Sequence, residues 1–323
     1  MKLNGIKKLS QLTLLCSACS VVALASNVAL AEAYKAAAQA TGEVSVVGSD
    51  TVSKAAKLWV EDFKVKQAGL KTNLTEADSG EGASALVSGK ADIGMMSRTM
   101  KPQEILAFQS KKGYQPTQII VGLDAIAVIV HPSNSLKSAS IPQIDGIFSS
   151  TLKCGGKAVD TWGALGVTGD LASKAPTLYS REAKSGTRGM FEKEALCKGT
   201  FKTTIKEIDH NAGVTSGVGA DASSAGYTSL AGLNSSVKAI AVSKKDGDAA
   251  IELSEKTVID QTYPLSRGLY LYVDKAPTKA LDPKIAEFVR YAISAEGQAL
   301  VKKAGYVSIT DTMAAEGKKG AGL

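Results

Sequence analysis

The stretch REAKSGTRGMF, residues 181–191, sets the reading of the whole chain. It gathers a guanidinium (Arg181), two hydroxyls (Ser185 and Thr187) and a glycine (Gly186) directly ahead of a run with helical character. The hydroxyl residues can cap a helix, and Gly186 lets backbone N–H groups crowd together. A helix start carries unpaired N–H groups and partial positive charge, so it suits a small anion. Arg181 adds a planar fork matched to two oxygens of one phosphate or carboxylate. An ordinary capped helix beside a solvated arginine would use the same residues, so the surrounding chain has to decide.

Working outward, the order strand, glycine turn, helix start recurs twice upstream. Residues 43–48 read as a buried strand through Val44, Val46 and Val47, and Gly48-Ser49-Asp50-Thr51 turns into a helix. In that helix Val52, Ala55, Ala56, Trp59, Val60 and Phe63 recur at helical spacing. Asp78-Ser79-Gly80-Glu81-Gly82 repeats the pattern ahead of Ala83, Leu86 and Val87. A turn at Gly89-Lys90 then leads through a short strand to Ser97 and Arg98. Both could reach an anion; a strand-end cap and a surface arginine is the other reading. Gly89-Lys90 only superficially matches a nucleotide-binding P-loop, because Ser84 stands where the first glycine belongs and Ala91 where the metal-binding hydroxyl belongs. Apolar runs at 118–121 and 125–130 flank Gly122-Leu123-Asp124, the second being a central strand that leaves the first lobe. Residues 237–242 read as a strand, 268–273 as the return crossing, 284–293 and 295–304 as helices, and 312–323 as a frayed tail. Strands alternating with helices predict an α/β fold with ligands at the strand C-terminal edge.

Residues 1–31 read as a secretory signal, with Lys2, Lys7 and Lys8 ahead of a mostly apolar run and Ala29-Leu30-Ala31 as the cleavage site. Serines and Asn27 interrupt that run, which disfavours a retained membrane helix. Cys16 and Cys19 lack an apolar residue three positions earlier, so a lipid anchor is the lesser expectation. Without the three signal lysines, 35 basic residues face 31 acidic ones, a net charge of about +4. With no basic-aromatic cluster, nucleic acid is not an expected partner. Two cysteines remain after cleavage, Cys154 and Cys197, and in an exported protein such a pair is most simply a disulfide closing the chain around Arg181. Two histidines, His131 and His210, with no paired-ligand spacing give neither a metal site nor a cofactor.

With VGSDTVSKAAKLW, DSGEGASALVSGKADIG and SREAKSGTRGMF in this order, the chain resembles the periplasmic phosphate-binding proteins of phosphate ABC transporters. The resemblance implies a two-lobed, type II binding-protein fold whose hinge is two crossing strands. Lobe I would hold residues 32–125 and 267–323, and lobe II residues 126–266. It implies phosphate contacts from Ser79, Arg181, Ser185, Gly186 and Thr187, with Ser49, Asp50 and Thr51 in the first loop and Ser97 and Arg98 beside the second. It implies a monomer in the periplasm, without cofactor, that docks transiently on a membrane permease. Many members place a proton-accepting aspartate where this chain has Ser97. Asp50 is the candidate replacement, with Glu81 behind it, since an acceptor separates protonated phosphate from sulfate. Asp50 is equally suited to be a helix N-cap.

Other readings stay open at this level. The same clamp could take sulfate, molybdate or arsenate, or the fold could serve adhesion or scavenging without a transporter. A serine hydrolase is disfavoured: Ser150/Lys153 and Ser235/Lys238 match S-x-x-K spacing, but no companion motif or G-x-S-x-G elbow accompanies them.

Overall fold

The computed structural model describes residues 32–323, so the expected export signal lies outside the described residues. The chain opens with β1 (Gly42–Ser49), α1 (Asp50–Lys66), β2 (Leu70–Ala77), α2 (Ser79–Ser88), β3 (Ile93–Met96) and α3 (Pro102–Lys112). β4 (Thr117–Val130) carries it into a second region: β5 (Ser138–Ser140), α4 (Ile141–Phe148), β6 (Thr177–Arg181), α5 (Gly186–Ala195), β7 (Lys206–Ile208) and α6 (Asn211–Gly219). There follow β8 (Ser224–Ser229), β9 (Lys238–Ala239), β10 (Ala241–Ser243) and α7 (Glu255–Ile259). β11 (Ser266–Val273) returns, and α8 (Pro283–Ala292), α9 (Ala295–Lys303) and α10 (Asp311–Ala321) finish the chain.

One sheet runs β2-β1-β3-β11-β4-β8-β6-β7. β1 lies parallel to β2 and β3, and β6 parallel to β8 and β7, as expected of strands linked through helices. β4 joins the two halves by changing partner midway. Thr117 to Ala125 pair antiparallel with β11, and Ile126 to Val130 pair with β8. The two apolar runs read around Gly122-Leu123-Asp124 are therefore one continuous strand. Gly122 fits there because Val301 and Leu269 crowd the space a side chain would need.

The two largest apolar cores flank this strand, and the molecule is two-lobed. One packs Val44, Val46, Trp59 and Phe63 against Phe288, Val289 and Leu271. The other packs Val128, Phe148, Phe191 and Tyr227 around the far half of β4. In α1 the predicted apolar face is the buried one, and the Trp59 indole donates to the Gly297 carbonyl at 2.8 Å.

Two expectations need correction. The 312–323 stretch is no frayed tail: Thr310 caps α10, Ala314 and Ala321 are buried, and Gly317 lies close to Ile119 of β4. Small residues on one face let this helix sit directly on the sheet. Residues 237–242 split between two sheets, with β9 on β4 and β10 on β5, because Ile240 donates to Val128 where the two strands part.

Cys154 and Cys197 form a disulfide with Cα atoms 5.3 Å apart, tying the loop after α4 to the end of α5. Cys197 and Lys198 both adopt positive φ, which turns the chain sharply at that helix end. Because the bond closes 43 residues around β6 and α5, the chain-entropy model assigns it about 4 kcal/mol. The paired substitution Cys154→Ser/Cys197→Ser should lower unfolding free energy by several kcal/mol in denaturant titration; a loss under about 1 kcal/mol would show that the reduced chain already holds this loop in place.

Candidate functional site

Three helix starts converge where the lobes meet. Ser49 caps α1, its Oγ accepting from the Val52 N–H at 3.4 Å. Asp78 stands at the head of α2, and Ser185 caps α5 by accepting from the Arg188 N–H at 3.4 Å. Gly48, with φ +135°, is required at the first turn, since a Cβ would collide with the Met95 carbonyl of β3. Of the expected residues, Ser49, Thr51, Ser79, Ser97, Arg181, Ser185 and Thr187 are all buried here.

The jaws touch through hydroxyls. Thr51 and Thr187 meet across the junction at 3.2 Å; on one jaw, Ser79 and Ser97 are 3.4 Å apart and the Ser97 N–H donates to Ser79 Oγ at 3.1 Å. Gly186 faces the second pair so closely that an added methyl would run into both hydroxyls. The Gly80 N–H donates across to the Lys184 carbonyl at 3.3 Å.

Arg181 ends β6 with no exposed surface. Nη1 donates to Asp50 Oδ2 at 2.9 Å and Nη2 to Asp78 Oδ1 at 3.2 Å, while Nε reaches the Ile208 carbonyl at 3.2 Å and Nη2 also the Asp209 carbonyl. Two carboxylates from one lobe thus hold the guanidinium of the other. Asp50 is not the N-cap; Ser49 takes that role and Asp50 is the first helical residue, its Oδ2 free to face Arg181 and Asn211. Glu81 does not reach the cluster: it accepts from the Asp78 N–H and from Lys184 at the surface.

Arg98, grouped with Ser97 from the sequence, is placed elsewhere. It forks onto Glu104 with two 2.7 Å bonds and donates to the Thr99 carbonyl. The cleft it lines with Lys101, Lys193 and Tyr270 includes none of Ser79, Ser185 or Thr187. The nearby guanidinium that does reach the hydroxyls is Arg267. Its Nη2 donates to Thr187 Oγ1 at 3.1 Å and its Nη1 to the Ser97 carbonyl at 3.2 Å. Asp124, directly opposite on β4, fixes it through bonds of 2.8 and 2.6 Å from Nε and Nη2. Lone charges inside the apolar runs of β4 and β11 were the signal for this pair, because a buried charge needs a partner. Asp78 and Asn211, the other residues with contacts here, carried no such signal. Among the described residues no cluster of His, Cys, Asp and Glu side chains could hold a metal, and no helix is long and apolar enough to cross a membrane.

Burial pushes the Asp78 carboxyl up from 3.8 to about 6; Arg181 opposes the shift, and Asp50, Glu81 and Glu182 add to it. A raised folded-state value stabilises the fold fully below pH 4, and that stabilisation is lost as pH climbs through about 6. Asp78→Asn removes this loss, so melting temperatures at pH 4 and pH 8 should shift in the variant's favour with rising pH. A gap between variant and parent that stays constant over that range would exclude the titration.

A family model described as a PBP superfamily domain matches residues 33–296. The phosphate-binding protein PstS of Pseudomonas aeruginosa is 42% identical over 291 residues, covering 90% of each chain. A Staphylococcus aureus protein of the same name is 27% identical and covers 83% of this chain and 78% of its own. Among solved structures, a putative phosphate ABC transporter substrate-binding protein from Clostridium perfringens, with bound phosphate, superposes with TM-score 0.69 at 24% identity. It covers 83% of this chain and 100% of its own. An ABC-type phosphate transport receptor from Vibrio cholerae gives 0.65 at 22% identity, over 82% and 99%. The structural likenesses carry the two-lobed fold, and the identity to the Pseudomonas protein along nearly the whole length carries the lineage. The chain belongs to the PBP superfamily, among the PstS-like phosphate-binding proteins.

Proposed function

We propose that the chain captures inorganic phosphate in the cell envelope and hands it to an ABC importer, clamping the anion between its lobes. The observation that carries this reading is the convergence of three helix starts and the buried Arg181 on one set of hydroxyls, drawn from both sides of the lobe junction. The 42% identity to a protein named for phosphate binding supports it. Lobe I is taken as residues 32–125 and 267–323, and lobe II as 126–266, since β4 changes partner between Ala125 and Ile126.

A desolvated dianion needs dense donors more than matching charge. Thr51 and Ser79 would supply them from lobe I together with the first N–H groups of α1 and α2. Ser185, Gly186 and Thr187 would supply them from lobe II with the head of α5. Ser97 supports Ser79, Ser49 shapes the first turn, and Arg181 provides the charge, with Asp50 and Asp78 holding its fork in place. Reversible capture of this kind involves no bond making, so the protein is a binding protein rather than an enzyme. Closure reshapes the outer surface, which a permease can sense. Residues 1–31 would direct export to the periplasm, where the protein works as a monomer.

Calorimetric titration with phosphate, on protein stripped of bound anion, tests the reading directly: tight one-to-one binding is expected, and heats from another oxyanion alone would overturn the ligand. Arg181→Ala should cost about 2–5 kcal/mol of phosphate affinity, as for one partner of a buried charge contact. A loss below roughly tenfold would place Arg181 outside the contact set. Gly186→Ala should hold the jaws apart at Ser79 and Ser97, weakening binding by at least about tenfold with little change in melting temperature. Unaltered affinity in that variant would mean that the lobes do not close on this glycine.

A further inference from the structure

Asn211 begins α6, is only 6% exposed, and touches the site through one end of its side chain. Its Nδ2 donates to Asp50 Oδ2 and to Thr51 Oγ1, both at 3.0 Å, and its backbone N–H reaches Asp50 Oδ2 at 3.4 Å. A carboxylate can only accept, so Asp50 fixes which end of the amide is nitrogen. The other end, Oδ1, is a buried oxygen with no hydrogen-bond partner. Of the buried side-chain atoms left in that condition among the described residues, it is the one whose residue bonds directly to Asp50 and Thr51.

A buried acceptor without a donor is costly unless something brings a proton to it. Asp50 is poorly placed to receive one from a ligand. Its Oδ2 already accepts from Arg181 and twice from Asn211, and its Oδ1 takes the Thr51 hydroxyl at 3.4 Å. Donation from Nδ2 makes the Thr51 oxygen an acceptor on that side, so its single proton points elsewhere, and Asp50 Oδ1 at 3.4 Å, Thr187 at 3.2 Å and an incoming anion compete for it. One amide therefore arranges a donor on the first jaw and leaves an acceptor beside it.

Resting on the phosphate reading above, we propose that Asn211 is the specificity-determining residue of the clamp, its Oδ1 accepting the hydrogen of the protonated oxygen of monohydrogen phosphate. Sulfate at neutral pH has no such hydrogen, so its oxygen would meet the amide lone pairs without a bond between them. A neutral acceptor does this without adding a third carboxylate to a site where Asp50 and Asp78 already flank Arg181. The proton stays on the ligand, and no bond is made or broken.

The test is calorimetric titration of the parent protein and Asn211→Leu with phosphate and with sulfate at pH 8. The leucine variant should lose phosphate affinity while sulfate affinity holds or rises, so that the phosphate-to-sulfate ratio falls by at least roughly tenfold. Equal loss for both anions, leaving the ratio intact, would overturn the proposal and reduce Asn211 to a brace for Asp50 and Thr51. Asn211→Ala, which removes the acceptor without adding bulk at the head of α6, carries the same criterion if the leucine variant does not fold. A parent protein that binds phosphate and sulfate equally also sinks the inference while leaving an anion clamp. A parent that binds no phosphate fails the functional reading itself.

Discussion

A guanidinium with no exposed surface has to be held by groups that accept as much as it donates, and Arg181 finds the charged ones, Asp50 and Asp78, in the opposite lobe. Removing an arginine from water carries a large desolvation cost, which only well-placed partners offset. Asp50 and Asp78 supply the charge, and the Ile208 and Asp209 carbonyls take further N–H groups. The helix starts at α1 and α2 then have to sit where these two carboxylates meet the end of β6. The Gly48 turn, the Ser49 cap and the parallel β1–β3 pairing all serve that placement.

The second constraint lies in the crossing strands. Arg267 and Asp124 face each other in register on β11 and β4, close to the point where β4 exchanges partners. Through Arg267 the pivot bonds to Ser97 on one jaw and Thr187 on the other. Both jaws thus bond to one side chain of the crossing strands, in addition to their contacts with each other. An ion pair in such a position adds little net stability over an apolar pair, but it specifies geometry, because either member alone would be an unpaired buried charge.

The periodic elements were legible in the sequence because burial imposes a period that apolar residues reveal. The face of α1 through Val52, Ala55, Trp59 and Phe63 is such a case. The three helix starts were legible because serine, aspartate and glycine have few other uses at a strand-to-helix turn. What stayed hidden depends on contacts between residues far apart in sequence. Arg98 and Arg267 are equivalent as letters, and only packing sends one to Glu104 and the other to Thr187. Asp78, 103 residues from Arg181, acquired its role through sheet order. The C-terminal stretch looked frayed because its apolar face consists of alanine and glycine, which bury well only against a flat strand surface such as β4.

The composition of the two cores bears on how the protein comes to be made. The core around Trp59 and Phe63 needs Leu271, Phe288 and Val289 and is covered by α10, so it is assembled from the two ends of the chain. The core around Phe148 and Phe191 is built almost wholly from one uninterrupted stretch and is stitched by its own disulfide. A polypeptide made N-terminus first would thus have its second region complete while the first still waited for its last helices. Until those helices arrive, the apolar faces of β1 and α1 lack their cover, and the interval is one in which the nascent chain exposes surface that favours association with other chains.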